Sequence, residues 1–222
     1  MARPRKIDAR DTRQAILDAS LELFGRQGYF GTGVRAIASA AGVRESAVYH
    51  HFENKQAILH ELLRDLGPGR AAMLGELDIE TLARDLGGKE LLRQLVQMVV
   101  ELWATPQEMR IFRLMMSEGP RLSETGVIDH DALIGQALKR ISRVFAELNR
   151  LGYTRKAEPE VQALAFMGPL IALRVRVMAM AKGGKPDLKK VKTLALAHVD
   201  YFWDGATKLN GRSVSAVRRK AS

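Results

Sequence analysis

The sequence predicts an all-α protein in which an N-terminal three-helix, helix-turn-helix head precedes a larger helical bundle. Three observations favour this fold class. Apolar residues recur every three or four positions in nearly every segment, which is the helical period. Short helical segments with tight turns fill residues 12–52, whereas the segments after the breaker "GPG" at 67–69 are longer. No useful length of chain alternates apolar and polar residues as a half-buried strand does.

The head opens with a predicted helix over 12–25 that carries an apolar stripe. A second helix is expected over 34–41 and a third over 44–52, each preceded by a glycine-containing turn. Asn54 is placed to cap a fourth helix, 55–66. Three short helices with a tight turn before the third are typical of a helix-turn-helix.

Five longer helices are predicted in the body. They cover 90–104, a segment from 106 that ends in "SEGPR", 129–151, 159–181 and 187–209. The start of the second is sharply marked, because Thr105 fits an N-cap, Pro106 the first helical position and Glu108 the acid of a capping box. We expect a helix-turn-helix domain over 1–55, a helical ligand-binding and dimerisation domain over 56–210, and a basic tail over 211–222.

The composition is that of a globular protein, with 222 residues, 46% of them hydrophobic and 27% charged. The chain has no cysteine, which excludes disulfides and thiolate metal sites. No apolar segment follows the basic N-terminus, so a secretory signal is not expected. The longest apolar run, 163–173, is too short to span a membrane. We therefore expect a cytoplasmic protein without a membrane partner.

The net charge of +10 is unevenly distributed. Residues 1–70 carry 11 Lys/Arg against 8 Asp/Glu, whereas 183–222 carry 9 against 3. The basic tail is either a solvated end or an auxiliary contact for a polyanion, and the same alternatives hold for Arg3, Arg5 and Lys6 at the N-terminus. Charge alone therefore predicts DNA binding only weakly.

The segment "GVRESAVYHHFENK", 42–55, has two unlike faces when it is drawn as a helix. Val48 and Phe52 fall on one side and would anchor the helix to the head's core. The opposite side and its flanks are polar, aromatic or small, and consist of Ser46, Ala47, Tyr49 and His50. Such side chains suit base edges and phosphates in a major groove.

Two adjacent histidines in this segment raise the question of a metal. His50 and His51 diverge by about 100° on a helix, whereas helical metal pairs are spaced by three or four residues. We therefore expect neither a metal nor a cofactor. For His51, a partly buried side chain and a phosphate contact both remain open.

Residues 28–59, "GYFGTGVRAIASAAGVRESAVYHHFENKQAIL", resemble the DNA-binding head of the tetracycline-repressor (TetR) family of bacterial regulators. The matching positions are Gly28, Tyr29, Thr32, Val34, Arg35, Ile37, Ala38, Ala41, Gly42, Val43, Tyr49, His51, Phe52 and Lys55. The resemblance implies a dimer of helical subunits, each with a three-helix head, a connecting fourth helix and a ligand-binding body. It also implies an operator in double-stranded DNA and a small-molecule effector as partners.

By position, this resemblance places DNA contacts on Thr32, Val34 (through its backbone amide), Arg35, Glu45, Ser46, Ala47, Tyr49, His50 and Lys55. The sequence also departs from the family pattern. Many members have Ser or Thr where Gly33 stands and Ser where Arg44 stands, so Arg44 adds a cation at the groove instead of a cap. The operator preference of a relative should therefore not be copied to this chain.

In the body, two sets of residues have a functional and a plain interpretation. An effector pocket or simple core packing explains Met98, Trp103, Met109, Phe112, Met115, Met116, Phe166 and Met167. A dimer interface or an intramolecular core explains the stripes Val161, Ala165, Gly168 and Ala172, and Leu188, Val191, Ala195 and Phe202. Arg174 and Arg176 would either meet an anionic ligand or be solvated or paired.

Two rival functions are less well supported. "GTGVRA" at 31–36 fits a dinucleotide-binding pattern, but it follows a helix where that motif requires a strand. An architectural DNA binder would use the basic tail, yet the head carries only a small positive excess. The sequence therefore predicts a ligand-responsive, homodimeric transcriptional repressor and not an enzyme.

Overall fold

The computed structural model describes residues 9–67, 74–180 and 187–207, which excludes the expected basic tail and the arginines and lysine at positions 3–6. Ten α-helices run through the described residues. They are α1 (Ala9–Gln27), α2 (Val34–Ala40), α3 (Glu45–His51), α4 (Lys55–Asp65), α5 (Ile79–Leu86), α6 (Gly88–Trp103), α7 (Pro106–Glu124), α8 (His130–Arg150), α9 (Pro159–Met180) and α10 (Leu188–Ala206). The all-α prediction is confirmed.

Side-chain caps begin several of these helices where the sequence indicates. Asn54 accepts a hydrogen bond from the Ala57 N–H at 2.8 Å, which starts α4. Thr105 accepts one from the Glu108 N–H at 3.4 Å, and Pro106 follows as the first residue of α7. Such caps satisfy N–H groups that have no partner within the helix.

Two elements differ from the expected helices. α5 has no predicted counterpart, because eight residues are too few to establish a clear apolar period. α7 was expected to end in "SEGPR" but continues through Pro120 to Glu124. Proline removes one backbone hydrogen bond from the helix interior. Here Pro120 and Met116 are both exposed, so water can hydrate the carbonyl of Met116 that loses its partner.

The described residues form two compact units. The first contains the residues up to 67 together with Ala104–Ala137, and so unites α1–α4 with α7 and the start of α8. The second contains the residues from 74 to Trp103 and those from Leu138 onward. The boundaries of these units differ from the expected domain boundary at residue 55. The expected boundary stays a prediction.

The core of the first unit is shared by the head, α4 and α7. Ile16 and Phe24 of α1, Ile37 of α2 and Val48 of α3 are at most 1% exposed. α7 completes this core with three buried side chains, Ile111, Leu114 and Leu122. The head therefore does not enclose its core alone but packs on α7.

An ion pair between a half-exposed arginine and a buried carboxylate joins α1 to α4 within the first unit. The Arg13 guanidinium donates to both carboxylate oxygens of Glu61, whose side chain is 8% exposed. The same guanidinium lies 4.9 Å from the centre of the Phe52 ring, at the end of α3. Arg13 thus links α1 with α4 and with the end of α3.

We expect Arg13→Ala to destabilise the protein by about 2 kcal/mol, because it leaves the carboxylate of Glu61 buried without its main partner. Arg64, 3.7 Å from Glu61, remains as a second cationic partner and limits the loss of stability. Urea unfolding measures the change. The matched control is Arg26→Ala, which removes an exposed pair with Glu22 and should cost less than about 0.5 kcal/mol. Equal costs for the two substitutions would contradict a stabilising role for the Arg13–Glu61 pair.

The second unit has its own core, formed by α5, α6, α9, α10 and most of α8. Its centre is a cluster of aromatic rings. The ring centre of Phe166 lies 5.4 Å from that of Phe145 and 5.0 Å from that of Phe202. The helices of this unit are also joined by charge, since Arg93 on α6 donates to Asp200 on α10 at 2.8 Å. Over the described ranges, no helix combines the length and apolarity that a membrane crossing requires.

Candidate DNA-binding and effector-binding sites

The candidate DNA-binding surface is built on α3, which has the two faces expected from the sequence. Val48 is 1% exposed and Phe52, at the C-cap, 4% exposed, and both belong to the core. The outward side chains of Ser46, Tyr49 and His50 are exposed, with Tyr49 at 52%. Because the apolar anchors fix the helix, these outward groups are presented at fixed positions and can donate or accept hydrogen bonds with phosphates and base edges.

The N-termini of α2 and α3 carry further exposed groups. Gly33 and Arg44 occupy the two N-caps in extended conformations without a side-chain cap, as their residue types predict. Arg35 and Arg44 are exposed, and Glu45 is the exposed acid in the first turn of α3. Uncapped backbone N–H groups beside arginine side chains favour phosphate as a partner.

Two expected DNA contacts have side chains that are bonded inside the head. Thr32 is 1% exposed, and its hydroxyl donates to the Gly28 carbonyl at 2.6 Å. Lys55 is half-buried, and its Nζ donates to the carbonyls of Tyr29 and Thr32, each at 2.7 Å. Both side chains hold the α1–α2 turn in place, and their contact with DNA stays a prediction. Val34 and Ala47 are half-buried at the edge of the surface.

His51 lies between the surface and the core. Its ring is half-buried and packs edge-on against that of His50, with 5.2 Å between ring centres. Burial lowers the pKa of His51, and the neighbouring His50 and Arg13 lower it further. The ring is therefore neutral at neutral pH, which favours hydrogen bonding over attraction to phosphate. Within the described ranges, no three His, Cys, Asp or Glu side chains gather in a way that could hold a metal.

The expected pocket residues are divided between the two units. Met98, Trp103, Phe166 and Met167 lie in the second unit, where Phe166 is buried and the other three are half-buried. The remaining four, Met109, Phe112, Met115 and Met116, lie on α7 in the first unit, and Met116 is 59% exposed. In the second unit, the buried Arg174 places its guanidinium 5.1 Å from the ring centre of Trp103. A cation and an aromatic ring thus lie side by side in this unit.

One face of α9 is apolar and exposed. It includes all four expected interface residues of this helix, Val161, Ala165, Gly168 and Ala172, together with Leu164, Ile171 and Val175. α10 lies beside α9, because the His198 ring nitrogen is 2.8 Å from the Phe166 carbonyl oxygen. On α10, Leu194 and Tyr201 are 40% and 82% exposed.

The expected interface on α10 needs correction. Ala195 is 1% exposed, and both Val191 and Phe202 pack into the core of their own subunit. Of the four residues expected on this helix, Leu188 is exposed. The stripe read from the sequence is therefore mainly the core side of α10. The exposed apolar side, with Leu194 and Tyr201, is rotated by about 100° from it.

Both parts of the chain match known protein families. Residues 16–62 match the model for bacterial regulatory proteins of the tetR family. Residues 90–204, more than half of the chain, match the model for the C-terminal domain of AefR-like transcriptional repressors. The chain belongs to the TetR family.

Individual relatives of this chain also support its membership of the TetR family. It is 37% identical over 112 residues to the regulator AcrR of Shigella flexneri, a match that covers 50% of each chain. It is 30% identical over 159 residues to the regulator SrpR of Pseudomonas putida, covering 72% of this chain and 69% of SrpR. A complex of SmeT with triclosan has 26% sequence identity and a TM-score of 0.64, with 90% of this chain and 93% of SmeT covered. SmeT is the repressor of the Stenotrophomonas maltophilia multidrug efflux pump SmeDEF.

These similarities identify a DNA-binding transcriptional regulator and not an enzyme. Two residues of functional interest carry no distinct signal in the sequence. Tyr29 is one of the positions that match the TetR-family head, and Glu118 belongs to the segment "SEGPR" of α7. The N–H of Tyr29 donates to the Glu118 carboxylate at 2.6 Å, a contact across 89 residues of sequence that no local pattern reveals.

Proposed function

We propose that this chain is a cytoplasmic repressor that binds a pseudo-palindromic operator as a homodimer and releases it when a small hydrophobic or amphipathic effector binds. The observation that carries operator binding is α3, where buried Val48 and Phe52 hold Tyr49, His50 and Ser46 outward. Membership of the TetR family supports a regulator that uses this helix on DNA.

The homodimer is supported by the exposed apolar face of α9 and α10. We define this dimer face as Val161, Leu164, Ala165, Gly168, Ile171, Ala172, Val175, Leu194 and Tyr201. Small residues such as Gly168 and Ala172 permit close approach of another helix. A contiguous exposed apolar face favours a partner, and a second copy of the same chain would cover it symmetrically.

A dimer explains how α3, as a short recognition helix, acquires specificity for a DNA sequence. Two copies of α3 read two half-sites when they sit about one turn of DNA apart, roughly 34 Å, or a multiple of it. We therefore expect an operator with an inverted repeat. An effector that binds more tightly to the conformation that cannot hold the operator increases the fraction of dimers in that conformation, and the DNA is released.

The proposed effector class is supported by the side chains of the second unit. Half-buried Met98, Trp103 and Met167 supply apolar contact, and the buried Arg174 supplies a cation beside the Trp103 ring. These groups suit an aromatic molecule with a polar or anionic group. The structure of SmeT with triclosan provides a chemical probe of this class.

The first experiment is a pull-down of fragmented genomic DNA with the full-length protein at about 0.15 M salt, a concentration at which nonspecific phosphate binding is weakened. The expected result is a small number of sharp peaks that share an inverted repeat. Uniform coverage would overturn the operator-specific repressor and favour an architectural binder that uses the basic tail. Triclosan is then titrated against the bound operator duplex, and release supports an apolar effector.

A further inference from the structure

The turn between α1 and α2 is held by a carboxylate from α7. The backbone N–H of Tyr29 donates to Glu118 Oε2 at 2.6 Å. Gly28, just before it, has a φ of +79°, and a β-carbon at this position would clash with the same carboxylate. The Glu118 side chain thus occupies the space that any other residue at position 28 would fill.

A cation from α4 holds the other end of the same residue. Lys55 Nζ donates to the Tyr29 carbonyl at 2.7 Å and lies 4.1 Å from the centre of the Tyr29 ring. Burial lowers the pKa of Lys55, and the negative charge of Glu118 opposes that shift. The backbone of Tyr29 is therefore fixed between an anion from α7 at its N–H and a cation from α4 at its carbonyl.

α7 makes a second contact with the turn one helical turn further on. The guanidinium of Arg121 lies 4.0 Å from the centre of the Phe30 ring. The turn continues directly to Gly33, the N-cap of α2, and then to the exposed Arg35. A displacement of the turn therefore moves the start of α2 and the arginine that it carries on the candidate DNA-binding surface.

We propose that Glu118 is a positioning residue for operator binding, which ties α7 to the α1–α2 turn and sets the place of α2 on the DNA. This inference rests on the proposed operator binding. A hydrogen bond to a charged acceptor inside the protein is strong enough to fix the turn. Because it reaches from α7 to the head, any effect that displaces Glu118 also loosens the start of α2.

The test compares Glu118→Ala, Glu118→Gln and the control Glu124→Ala, which removes an exposed carboxylate from the same helix. Operator affinity is measured by fluorescence anisotropy, with a duplex from the genomic pull-down. We expect Glu118→Ala to weaken binding about tenfold and Glu118→Gln, which keeps an acceptor, about threefold. Glu124→Ala should bind like the wild type.

A second measurement separates positioning from general stability. Hydrogen exchange of the peptide over 29–33 should slow when the wild type binds its operator, and this protection should be lost in Glu118→Ala. The melting temperature of Glu118→Gln should stay near that of the wild type. If Glu118→Ala does not fold, Glu118→Gln provides the test of the proposal. Reduced operator affinity of this variant, with an unchanged melting temperature, supports the proposal.

The proposal is overturned if the folded Glu118 variants bind the operator like the wild type, or if affinity falls only as much as overall stability does. Failure of the proposed function gives a different result. In that case the wild type itself does not distinguish the operator from a scrambled duplex.

Discussion

Replacing both Leu164 and Ile171 by glutamate should leave the protein monomeric at micromolar concentration and unable to hold its operator. Both side chains lie on the dimer face, 56% and 41% exposed in the single subunit. A dimer of this variant would bury four carboxylates in an apolar interface, at a cost of about 3 kcal/mol or more. Dimerisation should therefore weaken by at least about 100-fold. Operator binding falls with it, because the two recognition helices no longer act as one bivalent molecule.

Sedimentation velocity gives the oligomeric state, and anisotropy with the operator duplex gives the affinity. The control is Leu86→Glu, which places the same charge on an apolar side chain of α5 that is 36% exposed and outside the dimer face. It should remain dimeric and bind the operator. A wild type that sediments as a monomer would overturn the proposed homodimer, whereas a double variant that sediments as a dimer would show association through another surface.

Replacing Tyr49 and His50 by alanine should weaken operator binding by about 100-fold, because each subunit loses two of the proposed contacts with the duplex. Both side chains are exposed, and the anchors Val48 and Phe52 are untouched. The melting temperature should therefore stay close to that of the wild type. Loss of binding without loss of stability is the signature expected of contact residues.

Anisotropy at about 0.15 M salt, with the operator and a scrambled duplex in parallel, measures both specific and nonspecific affinity. The specific affinity should fall toward the nonspecific value. Gln14→Ala, which changes an exposed polar residue on α1, serves as the control and should leave both affinities unchanged. If the variant of Tyr49 and His50 still distinguishes the operator from the scrambled duplex as well as the wild type does, other residues of the head read the DNA sequence.

The head was largely predictable from the sequence because local signals agree with its tertiary role. The spacing of Val48 and Phe52 separates a core side of α3 from an outward side, and Asn54 caps the next helix as its residue type indicates. α5 was missed because it is short, and α7 passes Pro120 because the residue faces solvent. Helix boundaries thus depended on exposure as well as on residue type.

The functional assignment of individual polar residues was less predictable. Thr32 and Lys55 occupy positions that suggest DNA contact, but their side chains bond to the backbone of the α1–α2 turn. On α10, apolar residues lie on both the buried and the exposed side, so periodicity alone did not distinguish Ala195 from Leu194. These outcomes depend on contacts between segments far apart in the chain.

The shared core of the head and α7 has a consequence for the construction of hybrid regulators. Ile111, Leu114 and Leu122 are at most 2% exposed against the head, and Glu118 reaches its first turn. A graft that exchanges only the first 65 residues would set these side chains against a foreign surface. A transplant that moves α7 together with the head preserves the native packing. The part of this regulator that can be exchanged as one unit is therefore encoded by two separate segments of its gene.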